Sequence, residues 1–112
     1  MKYALLIYSK PGSHEALSEE DSAAVHAEYM AIRDEPGCIG GGQLQPVTTA
    51  TTVRVQDGNA LTTDGPFADT KEVFGGYYLF ELDNLDRALE LAARIPSARL
   101  GGSVEVRPLV EH

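Results

Sequence analysis

The chain has 112 residues, with nine Lys and Arg against seventeen Asp and Glu, for a net charge of −8. That length suits one domain over 1–112, whose single core would bury roughly 65% of the unfolded surface without a metal or disulfide staple. The acidic balance argues against nucleic acid, which requires a basic footprint, and against anionic membrane surfaces. It leaves room for a small anionic ligand, since two or three local basic groups outweigh a distributed charge.

Lys2 to Tyr8 is an apolar, aromatic run bounded by Lys10-Pro11-Gly12, which predicts a buried strand. The run is too short to span a bilayer, and no signal peptide is recognisable. Ser18 precedes Glu19, Glu20 and Asp21, an N-cap with acids in the first turn, and Val25, Tyr29 and Ile32 recur at helical spacing. The helix should run from about Glu19 to Asp34 and stop at Pro36-Gly37. Cys38 is the single cysteine, so no internal disulfide can form, and a reducing cytoplasm fits.

Cys38 to Gly42 is glycine-heavy and leads into an expected short strand, Gln43 to Val47. Val53 and Val55 alternate with Arg54 and Gln56, Asp57-Gly58-Asn59 turns the chain, and Ala60 to Thr63 returns as the second arm of a hairpin. Val73 to Leu82 reads as a long strand. Asp83 or Asn84 then caps a second helix with Leu85, Ala88, Leu89, Ala92 and Ile95 on one face, and Pro96 ends it. Ser103 to Arg107 alternates as a last strand.

Strand, helix, strand, hairpin, strand, helix, strand gives the ferredoxin-like α+β pattern, an antiparallel sheet with two helices on one face. The other face carries alternate residues of apolar strands such as Tyr77–Phe80. It needs cover, and a second copy in a homodimer is the simplest partner.

Between the hairpin and the long strand lies Thr63-Asp64-Gly65-Pro66-Phe67-Ala68-Asp69-Thr70-Lys71-Glu72, followed by Gly75-Gly76-Tyr77-Tyr78. Asp-Gly-Pro is a turn signal, and Gly65 should take a positive φ. A loop that combines a turn, an aromatic and both charge signs suits a binding site, with Phe67, Lys71, Glu72 and Tyr77 as ligand contacts. The other reading is a tight connection between two strands, with Phe67 as a core plug.

The run TDGPFADTKEVFGGYYLFEL resembles the signature of the DGPF group of YCII-related proteins. The resemblance extends to Met1–Tyr8, Gly41–Pro46, Thr51–Val55, Ala92–Pro96 and Ser103–Pro108, nearly the whole chain in order. It implies a dimeric ferredoxin-like α+β barrel. Its reported relatives imply a cofactor-free proton-transfer enzyme, of lyase, isomerase or dehydrochlorinase type, acting on a small cyclic or phenolic compound. The alternative it implies is a ligand-binding or regulatory module associated with an extracytoplasmic-function sigma factor.

The family at large shows a His–Asp pair that His26 and Asp34 resemble, at a spacing one residue shorter, with Glu35 competing for the role. His26 lies beside the buried stripe of the first helix. It would move the proton, with Asp34 or Asp64 orienting it and Lys71 neutralising an anionic substrate. The other reading of His26 is a surface imidazole beside solvated acids, and Asp64 is equally a turn residue. His14 should lie in a flexible, exposed loop. No zinc spacing, phosphate loop, nucleophile elbow or nucleotide fingerprint is present, so neither a metal nor a cofactor is expected.

Overall fold

The computed structural model describes residues 1–112 throughout. Strands β1 (Lys2–Ser9), β2 (Cys38–Gln43), β5 (Val73–Glu81) and β6 (Ser103–Pro108) form one sheet in the order β2-β5-β1-β6, and all three pairings are antiparallel. Strands β3 (Thr51–Gln56) and β4 (Asn59–Asp64) make a separate two-stranded ribbon. Helices α1 (Glu19–Arg33) and α2 (Leu85–Ala93) complete the ferredoxin-like α+β fold.

Local chemistry starts both helices. The Ser18 side chain accepts from the Asp21 N–H at 3.1 Å, and Asn84 accepts from the Arg87 N–H at 3.0 Å, each satisfying an orphan donor of a first turn. Alternation then sorts the central strands. Tyr3, Leu5 and Ile7 of β1 meet Phe80 and Tyr78 of β5 on the inner face, where Ile32 of α1 and Ala88, Leu91 and Ala92 of α2 close the core together with Ile95. Leu6, Tyr8, Tyr77 and Leu79 share the opposite, uncovered face, with Tyr8 against Phe74 at 5.4 Å between ring centroids.

Three expectations shift. The second strand is Cys38–Gln43, on the glycines, whereas Val47–Thr49 is a 3₁₀ turn after Pro46. The reason is space: a Cβ at Gly41 would stand 2.7 Å from the Tyr77 carbonyl, so the strand that pairs with the aromatic β5 must be nearly bare. The seam of α2 is rotated too, burying Ala88, Leu91 and Ala92 while Leu85 and Leu89 stay exposed. The two alanines let the helix sit close to the sheet. Phe67 plugs no core, being 76% exposed.

Gly102 fixes the far end of the molecule. A Cβ there would lie 2.2 Å from the Tyr8 carbonyl and 3.0 Å from the Ser97 carbonyl, so the 3₁₀ turn Pro96–Ala98 presses directly onto the end of β1. The Gly102 N–H donates to that same Ser97 carbonyl at 2.9 Å. Overpacking such a contact costs on the order of 1–3 kcal/mol. Gly102→Ala should therefore lower the melting temperature by at least about 5 °C for a domain of this size. Asp69→Ala, at an exposed loop position, should leave it unchanged. Calorimetry of the two variants decides, and equal melting temperatures would contradict the packing argument.

Candidate functional site

Where the turn meets β1, four segments contribute to one chain of hydrogen bonds. Ser9 at the end of β1 bonds Ser97 Oγ at 2.8 Å. Ser97 bonds the Tyr29 hydroxyl at 2.9 Å, and that hydroxyl bonds His14 Nε2 at 2.8 Å. Ser13 Oγ completes the chain on His14 Nδ1 at 3.0 Å. Tyr29 comes from the same face of α1 as Val25 and Ile32, so the helical period itself aims its ring inward. The Tyr78 hydroxyl donates to the Tyr29 carbonyl at 2.7 Å, tying α1 to β5. The imidazole and phenol rings stack at 5.9 Å with 28° between planes.

His14 is thus half-buried and held on both ring nitrogens, not free in a loose loop. The segment before α1 is wound by its own backbone, with Ser13 N–H to Lys10, Ala16 N–H to Gly12 and Leu17 N–H to His14 carbonyls. Sequence reasoning missed His14, Ser9 and Ser97. Their signal was faint, since a lone Leu17 in an otherwise small and polar loop is all that hints at an anchor.

Burial raises the Tyr29 pKa, and the Ser97 hydrogen bonds oppose that without cancelling it. Tyr78 is pushed up to about 12, again mainly by burial. Both phenols therefore stay protonated at neutral pH. Beside Tyr29, Glu28 and Arg99 form a two-point ion pair at 2.6 and 2.8 Å, whose hydrogen bonds hold the Glu28 carboxyl below its usual range.

His14 also lines a shallow surface cleft of about 550 Å³, together with Glu15, Leu17, Glu19, Ser22 and His26. His26 is exposed on α1, and its ring has no hydrogen-bond or ion-pair partner. The suggested pairing of His26 with Asp34, Glu35 or Asp64 is not made. Asp34 is the C-cap of α1, exposed, with its N–H on the Met30 carbonyl. Glu35 is taken by two arginines, Arg94 Nη1 at 2.7 Å and Arg87 Nη2 at 3.1 Å.

Asp64 ends β4, exposed, and Gly65 after it takes φ +95°, as the turn signal requires. Lys71 is exposed and pairs with no carboxylate. Glu72 is half-buried and accepts from Ser103 Oγ at 3.2 Å, while its carbonyl accepts from the Thr70 hydroxyl. Tyr77 sits on the uncovered sheet face. These loop residues and His26 do not share one pocket. No group of three or more His, Cys, Asp or Glu side chains converges to hold a metal ion, and no helix is long and apolar enough to cross a membrane.

The sheet order, the one-sided helices and the polar chain at the end of the core define a ferredoxin-like α+β protein. The chain belongs to the YCII-related family, whose model matches residues 1–112. An uncharacterized protein of Rhizobium meliloti (strain 1021) is 39% identical over 114 residues, 97% of this chain and 92% of that relative. A solved structure, the 5-chloro-2-hydroxyhydroquinone dehydrochlorinase TftG of Burkholderia phenoliruptrix AC1100 in complex with 2,5-dihydroxybenzoquinone, superposes with a TM-score of 0.55. It is 17% identical, and the match covers all of this chain and 96% of that one, a likeness of fold.

The two arginines give Glu35 a testable titration. The Arg94 hydrogen bond, with further help from Arg94 and Arg87 charge, holds its carboxyl below the ordinary value of 4.5. A depressed folded-state value stabilises the fold above the unfolded pKa, and that contribution is lost as pH falls through the folded one. Glu35→Gln should therefore melt below the parent at pH 7. The gap should close as pH drops below about 4. A gap that is constant from pH 7 to pH 3 would show that the ion triad is not its source.

Proposed function

We propose that this YCII-related protein is a cofactor-free enzyme that moves a proton on a small cyclic or phenolic compound, in a lyase, isomerase or dehydrochlorinase step. The observation that carries the reading is the cleft that exposes two imidazoles in different settings. His26, with no partner of its own, is the group free to exchange a proton with a substrate. His14, held on both ring nitrogens by Ser13 and Tyr29 and backed by the hydroxyls of Ser97 and Ser9, forms a fixed wall of the cleft beside it. Imidazole changes charge near neutral pH, which suits it to both directions of transfer. The fold it shares with a dehydrochlorinase of a hydroxylated ring, solved with a dihydroxyquinone, supports the substrate class.

The uncovered face of Leu6, Tyr8, Tyr77 and Leu79 supports a homodimer through the sheet. Phe67, Lys71 and Glu72, on the loop that feeds β5, are kept as ligand contacts in that assembly. A second reading is a non-catalytic ligand-binding module of the sigma-factor-associated kind. It is favoured by one observation: no carboxylate braces either imidazole.

The experiment follows exchange of ring protons for solvent deuterium by NMR in a panel of hydroxylated quinones and phenols, with 2,5-dihydroxybenzoquinone as the binding probe. A positioned acid–base group contributes about 10²–10⁴-fold. His26→Ala should lose turnover by that order while keeping its melting temperature and its affinity for the probe. A variant with full kcat rules out the mechanism. Binding with no turnover for any compound of the panel would favour the module.

A further inference from the structure

Asp-Gly occurs twice in this chain, as Asp57-Gly58 and Asp64-Gly65. Glycine has no side chain to shield its amide nitrogen, so that nitrogen can attack the Cγ carboxyl of the aspartate before it and close a succinimide ring. The attack forms the N–Cγ bond and expels one water, whose oxygen comes from the carboxyl group. A second water opens the ring. Addition at Cγ restores aspartate. Addition at the main-chain carbonyl breaks the bond from that carbonyl to nitrogen, and the chain then runs on through Cβ and Cγ as isoaspartate. The water lost equals the water gained, so the reaction needs no oxidant, metal or enzyme.

The fold treats the two pairs differently. Asp57 and Gly58 are the exposed tip of the β3–β4 hairpin, between the last paired residues Gln56 and Asn59. Asp57 takes φ 52° and Gly58 φ 79°, the left-handed two-residue turn that Asp-Gly favours. The Gly58 N–H donates to no carbonyl. The Asp57 carboxylate has no ion-pair partner and faces open solvent. Nucleophile and electrophile are therefore both unengaged, on adjacent residues that no ladder bond holds.

Asp64-Gly65 is clamped instead. Asp64 is the last residue of β4, paired with Thr51. The Gly65 N–H donates to the Ala50 carbonyl at 2.7 Å, and the Gly65 carbonyl accepts from the Thr52 hydroxyl at 2.8 Å. Ring closure there takes the proton from the amide nitrogen, and with it the bond to Ala50, and turns the Gly65 peptide away from Thr52. Each hydrogen bond given up slows the step roughly 5-fold. We propose that Asp57-Gly58 is a site of spontaneous isomerisation to isoaspartate, and that the Ala50 and Thr52 hydrogen bonds protect Asp64-Gly65 from the same reaction. The product puts one extra main-chain carbon into a two-residue turn, whose length sets the register of its strands, so the Gln56–Asn59 pair opens. This modification is independent of the catalytic reading.

The test stores the folded protein for weeks in heavy-oxygen water and, in parallel, the same chain unfolded in urea. Arg54 and Lys71 bracket a tryptic peptide, residues 55–71, that carries both sites, so one fragment reports both. Mass spectrometry with electron-transfer fragmentation identifies isoaspartate at each position, and uptake of heavy oxygen shows that the ring was hydrolysed. In the folded protein isoaspartate should form at residue 57 at least about 10-fold faster than at residue 64, two hydrogen bonds being lost at the second. In urea the two rates should converge. Thr52→Val should raise the rate at residue 64 roughly 5-fold and leave residue 57 alone. Equal rates in the folded chain overturn the proposal, as does an absence of isoaspartate at residue 57 over a period in which the unfolded chain forms it. A preference that persists unchanged in urea shows that the fold does not protect Asp64-Gly65, and an unchanged rate in Thr52→Val removes Thr52 from the clamp.

Discussion

Burial of Tyr3, Leu5 and Phe80 against Ile32, Leu91 and Ile95 is the contact on which the rest of the architecture hangs. It uses up both helices on one face of a four-stranded sheet, because α1 and α2 together span the inner face and no other helix remains. Period-two alternation then dictates that every apolar residue placed inward has neighbours placed outward. Leu6, Tyr8, Tyr77 and Leu79 are the outward set, and their aromatic and aliphatic character cannot be traced to the core they do not enter. The β3–β4 ribbon lies outside this sheet and pairs with neither of its edge strands, β2 and β6.

The polar chain occurs where that core runs out. Ile7 is the last inner apolar residue of β1, and Ser9 takes the next inward position. Gly102 removes the side chain that would keep the Pro96–Ala98 turn away, so Ser97 reaches both Ser9 and the Tyr29 ring delivered by α1. Buried hydroxyls are costly unless they are paired, and no buried side-chain polar atom is left without a partner. Backbone packing and polar satisfaction thus determine each other at this point: the turn must press on β1 for the hydroxyls to meet, and the hydroxyls must meet for the turn to be buried.

Much of the fold was legible because it rests on local rules. The caps Ser18 and Asn84, the stripe Val25–Tyr29–Ile32, the turn at Asp57-Gly58 and the positive φ of Gly65 all follow from side-chain chemistry within a few residues. What failed depended on partners distant in sequence. The second strand was expected at Gln43 to Val47, after the glycines, because glycine has low strand propensity, yet the tyrosines of β5 require bare positions opposite them. The seam of α2 was misphased because Leu85 and Leu89 are as apolar as Leu91, and only the sheet decides which of them is covered. At the site, His26 was singled out for lying on a regular element. His14, whose bonds are to residues 29 and, through Tyr29, 97, could not be placed from its neighbours.

The sequence of hydroxyls also sets a condition on how the site can work. Each hydroxyl carries one proton, so Tyr29 must donate to one of its neighbours, His14 Nε2 or Ser97 Oγ, and accept from the other. If Nε2 of His14 bears the proton, the chain points inward: imidazole to phenol, phenol to Ser97, Ser97 to Ser9. If Nδ1 bears it, every link reverses, and the imidazole donates instead to Ser13. Moving one proton across the His14 ring therefore requires Tyr29, Ser97 and Ser9 to reorient together. Burial keeps Tyr29 a neutral phenol, so the chain switches by exchanging hydrogen-bond directions and not by creating a buried phenolate. With both ring nitrogens engaged, Nδ1 on Ser13 and Nε2 on Tyr29, the imidazole passes between these two arrangements without any net charge moving into the core.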